Sequence, residues 1–80
     1  MNVQEIHEAL DQGKKVIWGN ALYQVFKSEV TKGCEYQENH PTNINGMVLE
    51  IICMNNYFGG IASIKELDDC FIDLSYRMTL

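Results

Sequence analysis

Cys34 and His40 are the first residues of this chain whose types could do chemistry, because a thiol near an imidazole can be deprotonated into a nucleophile. A working pair also needs a group that orients the imidazole and donors that hold an oxyanion, and the residues around Cys34 and His40 spell out neither. Both are read as surface residues of a loop, and no catalytic residue is expected. A metal held by His7, Cys34 and His40 would require an N-terminal helix and that loop to converge, and the spacing has none of the regularity of a zinc site. No metal or other cofactor is expected, and His7 reads as a residue at the boundary of an apolar helix stripe. Gly59-Gly60, following Tyr57-Phe58, lacks both the G-x-x-x-x-G-K and the G-x-G-x-x-G pattern with a helix behind it, so it reads as a turn and not as a phosphate loop.

The residues left with a possible role are acids and aromatics. Glu66, Asp68, Asp69 and Asp73 place four acids in eight residues with no base among them, within a chain of net charge −5. Two readings stand. The cluster is a solvated edge that discourages strand-to-strand aggregation, or it is a surface that docks on an arginine- or lysine-rich groove of a protein partner. Tyr36, Tyr57 and Phe58 sit in turn-rich stretches, where large rings either anchor an interface or pack back on their own domain. With Glu38 beside Tyr36, these eight residues form the candidate partner-binding set. Direct nucleic-acid binding is disfavoured, since Lys14 and Lys15 are the only adjacent bases and phosphates repel an acidic chain.

Eighty residues make one small domain, and the elements that position these groups follow from periodicity. Val3, Ile6, Ala9 and Leu10 predict an amphipathic helix over 3–12, opened by an Asn2 cap with Glu5 three residues on and stopped at Gly13. Lys15 to Trp18 and Ala21 to Val30 predict a hairpin around Gly19-Asn20. Residues 31–46 are rich in turn formers and read as a long loop of functional interest. Met47 to Met54 predicts a central strand, with Leu49, Ile51 and Cys53 on one face and Val48, Glu50 and Ile52 on the other. Ser63-x-x-Glu66 matches a capping box for a short helical turn, and Cys70 to Met78 alternates as a final half-exposed strand. Trp18, Tyr23, Phe26, Phe71 and Tyr76 take strand positions as core or cross-strand partners. The expected fold is α+β, one N-terminal helix packed on an antiparallel sheet of about four strands.

No apolar run approaches the roughly 20 residues that span a bilayer, and the acidic start is unlike a secretory leader, so neither membrane insertion nor export is expected. Three cysteines without paired spacing point to a reducing cytoplasm.

The blocks Gly13-Lys14, Val16-Ile17-Trp18-x-Asn20 and Tyr23-x-Val25 resemble small proteins encoded by bacteriophages and prophages, a class that includes anti-CRISPR proteins. Ile51-Ile52-Cys53, Phe58-Gly59-Gly60-Ile61 and Asp69-Cys70-Phe71-Ile72 are similar to them too. The 31–46 stretch departs from their compact hairpins. What the resemblance implies, by analogy, is a non-enzymatic inhibitor in a bacterial host cell, binding a host protein or nucleoprotein complex such as CRISPR-Cas at a basic surface. The alternative is a phage structural or regulatory module that pairs with itself as a homodimer.

Overall fold

Two helices begin with the same reciprocal cap. In the computed structural model of the chain, which describes residues 1–74, Asn2 Oδ1 accepts the Glu5 N–H at 2.8 Å while Glu5 Oε1 accepts the Asn2 N–H at 2.9 Å, opening α1 (Val3–Asp11). Ser63 and Glu66 repeat the arrangement for α3 (Ile64–Leu67). Between them lie β1 (Val16–Trp18), β2 (Asn20–Glu29), α2 (Glu35–Glu38), β3 (Met47–Cys53) and β4 (Gly59–Ile61), and β5 (Cys70–Ile72) follows α3. The strands form one antiparallel sheet in the order β4-β3-β2-β1-β5.

This is the expected α+β layering with five strands instead of about four. The fifth is β4, which includes the Gly59-Gly60 pair expected to be a turn. Its cause is steric: a Cβ on Gly59 would sit 2.3 Å from the Ile51 carbonyl oxygen and 2.8 Å from Ile52 Cα, so only glycine lets this backbone lie against β3. β3 is therefore interior, but the central place belongs to β2, whose ladder with β3 runs unbroken from Tyr23↔Cys53 to Glu29↔Met47. Among the described residues the last strand ends at Ile72, and the part of it expected over 75–78, with Tyr76, lies outside them.

Alternation in this register puts Val16, Trp18, Tyr23, Val25, Leu49, Ile51 and Cys70 on the face that meets α1. Ile6 and Ala9 of α1 pack there, closed in by Ala62 and Leu67. Ile17, Gln24, Phe26, Ile52 and Phe71 take the other face.

The 31–46 segment is not a simple loop. It holds the one-turn helix α2 and is tied down through Thr42, which is fully buried. The Thr42 carbonyl accepts a hydrogen bond from His7 Nε2 at 2.9 Å; a carbonyl can only accept, so the His7 proton is on Nε2. The Thr42 N–H donates to His40 Nδ1 at 3.2 Å, and its hydroxyl accepts the Leu49 N–H at 3.2 Å while lying 3.0 Å from His40 Nδ1. Thr42 thus joins α1, β3 and the segment at one buried point. His7 is a buried bonding residue, not a boundary one. Its polar type hid this from the apolar periodicity.

Two stability results follow. Gly59→Ala should cost about 1–3 kcal/mol in urea unfolding, the usual range for overpacking, while Gly60→Ala, with open space at its Cβ, should stay within about 0.5 kcal/mol. His7→Ala should also lose about 1–3 kcal/mol, because it strands the buried Thr42 carbonyl without its donor.

Candidate functional site

At the turn between β1 and β2 the ladder slips: Ile17 faces Gln24, yet Trp18 faces Asn20. Gly19, at φ 74°, makes the reversal, and Ala21, Leu22 and Tyr23 are left without partners on β1. Tyr23 still packs against Trp18, edge to face, with ring centroids 5.3 Å apart and planes at 76°. The Gly19 N–H then donates to the Asp69 carbonyl at 3.1 Å, which fixes the α3–β5 junction beside the same turn.

These elements border an open cleft of about 680 Å³ lined by Trp18, Gly19, Asn20, Tyr23, Asp68, Asp69, Cys70 and Phe71. Trp18 and Tyr23 pack partly on the core, whereas Phe71 is 46% exposed. The Trp18 indole nitrogen is buried with no acceptor among the described residues. Asp68 and Asp69 are both exposed, and neither carboxylate meets a base among the described residues. Ring faces and two unneutralised carboxylates share one concave surface, a chemistry suited to a cation.

The structure divides the eight candidate residues by role and by place. Of the acids, Glu66 is engaged in the α3 cap, and Asp73 lies at 3.8 Å from Lys15 Nζ beyond the far end of β5. Only Asp68 and Asp69 reach the cleft. Tyr57 and Phe58, 76% and 77% exposed, sit on the turn after β3. Since Met54 N–H donates to the Leu22 carbonyl at 2.7 Å, that turn is at the same end of the sheet as the cleft. Tyr36 and Glu38 belong to the opposite end, where β2 leaves and β3 enters. There Tyr36 stacks edge to face on His40 and Glu38 Oε2 accepts the Gly33 N–H at 3.2 Å.

Trp18, Tyr23 and Phe71 were legible as strand aromatics but not as cleft walls. The only local signal was Gly19-Asn20 after a tryptophan, and the rest of the cleft comes from α3 and β5, far along the chain. Cys34 opens α2 and is only partly buried, while His40 Nδ1 faces Thr42. No group of three or more His, Cys, Asp or Glu residues among the described residues is arranged to hold a metal ion. Nor is any helix among them long and apolar enough to cross a membrane.

Comparison with known proteins finds no family model, no curated protein and no solved structure that matches this chain.

Cys70 also lines the cleft. Burial pushes its thiol up from 9.0 to about 11, against the lowering effect of the N-terminal ammonium and with help from Asp69 and Glu66. It should therefore resist iodoacetamide at about pH 8 in the folded chain and react in urea, as read by peptide mass spectrometry. Between pH 9.0 and about 11 the unfolded chain has released a proton that the folded chain retains, so the Cys70 contribution to stability is complete below 9.0 and is lost as pH rises through that window.

Proposed function

We propose that this chain is a non-enzymatic interaction module that docks the acidic, aromatic end of its sheet on a basic surface of a protein partner. The observation that carries the reading is the cleft, where Asp68 and Asp69 stand beside Trp18, Tyr23 and Phe71 in a chain of net charge −5. Carboxylates steer the encounter with a cationic surface and set its register. Half-buried rings then anchor it, and exposed Tyr57 and Phe58 extend the same end of the sheet with two more.

The resemblance to phage-encoded proteins directs the choice of partner to a host protein or nucleoprotein complex in the bacterial cytoplasm. Free thiols at Cys34, Cys53 and Cys70 accord with that compartment. A CRISPR-Cas effector fits the charge, because the groove that tracks its nucleic acid is rich in lysine and arginine. The chain then acts as an anti-CRISPR protein, occupying that groove in place of the phosphate backbone and touching no nucleic acid itself. Self-association is the second reading, favoured by Leu22 and Phe71, 42% and 46% exposed at the sheet.

The test is DNA binding by purified CRISPR effector–guide complexes, followed by fluorescence anisotropy as the chain is added. Wild-type chain should displace DNA from a susceptible effector, and the double reversal Asp68→Lys with Asp69→Lys should raise the half-inhibiting concentration at least about tenfold. Its melting midpoint should barely move, because exposed substitutions usually stay within about 0.5 kcal/mol. Equal inhibition by the reversed chain overturns acidic docking. Inhibition of no effector, with sedimentation of the chain as a dimer, favours self-association.

A further inference from the structure

We propose that the cleft between the β1–β2 turn and the α3–β5 junction is a receptor for one arginine side chain of the partner. The inference rests on the docking reading and names the group that enters. The cleft's volume of about 680 Å³ falls within the span of about 300–1,000 Å³ typical of small-ligand sites, room enough for one side chain. Its walls select the chemistry. Asp68 and Asp69 repel anions, and a neutral apolar group would strip water from two carboxylates without replacing it.

Among cations the walls favour a guanidinium over an ammonium. A guanidinium is planar and weakly hydrated, stacks on aromatic faces, and presents donors in a fork that matches a carboxylate. Trp18 and Tyr23 supply the rings, and adjacent Asp68 and Asp69 supply two carboxylates at the rim. An ammonium is a compact, strongly hydrated charge that gains less from ring faces and loses more on leaving water. The Met1 amino group donates to the Leu67 carbonyl at 2.9 Å, and Lys15 Nζ faces Asp73. The Asp69 backbone carbonyl, already bonded to Gly19, leaves the carboxylate as that residue's group for a ligand.

Trp18 is the only tryptophan in the chain, so its fluorescence reports the cleft directly. Titration with N-acetyl-argininamide should give a saturable change in Trp18 emission. N-acetyl-citrullinamide, of similar shape but uncharged, and N-acetyl-lysinamide should each bind at least about tenfold more weakly. Asp68→Asn with Asp69→Asn should remove the response in a chain whose amide NMR spectrum stays dispersed, while Glu35→Gln, on α2, should leave it intact. Equal binding of the citrulline probe, or amide shifts centred on residues 31–46, overturns the site, and equal binding of the lysine probe overturns the guanidinium assignment. The two readings separate cleanly. An arginine response that survives alongside Asp-independent DNA displacement sustains the cleft and sinks the docking reading, whereas Asp-dependent displacement with no arginine response does the reverse.

Discussion

Everything in this molecule depends on the burial of one helix stripe. With nine residues, α1 is too short to persist alone, so it exists because Ile6 and Ala9 are held against the sheet residues Val16, Val25 and Leu49. The sheet is equally dependent, since covering one of its faces is what distinguishes Val25 and Ile51 from Gln24 and Ile52 and so fixes the register of β2 on β3. A one-residue slip would send the core to the wrong side.

That shared core reaches the candidate site through Cys70 and Trp18. Their pairing couples β5 to β1 on the covered face, and the residues immediately beyond them, Gly19 and Asp69, are joined by a main-chain hydrogen bond. The carboxylates of Asp68 and Asp69 owe their place to α3, which is anchored by buried Leu67 and stopped by its own geometry before β5 begins. Recognition chemistry is thus carried at the junctions, where strand ends and turns expose what the ladders cannot absorb. The acids that looked like one cluster along the chain serve three tasks: Glu66 shapes a helix, Asp73 meets Lys15, and Asp68 with Asp69 face solvent.

The parts legible in the sequence are those governed by neighbours along the chain. The Asn2–Glu5 and Ser63–Glu66 caps, the apolar stripe of α1 and the alternation of β3 all follow from spacing within a few residues, and the structure has each of them. What was illegible depends on partners distant in sequence. Gly59 is a strand residue only because β3 comes close to it. Residues 31–46 are ordered because His7, 35 positions before Thr42, enters the core with its ring and bonds a carbonyl there. The cleft is of the same kind, since Trp18 meets Cys70 and the α3–β5 junction only after β1 and β5 pair. Periodicity correctly gave both residues to strands, but the use of those strands is a property of the closed sheet.

The ladders differ greatly in length, and this sets where the molecule opens. β2 and β3 share seven paired positions, whereas β5 holds β1 by three at the sheet's margin. Local unfolding follows such differences, so the short ladder of β5 favours opening at this margin over opening in the middle of β2. Asp69 and Phe71 ride on that weakly held margin, and Tyr23 on the persistent interior.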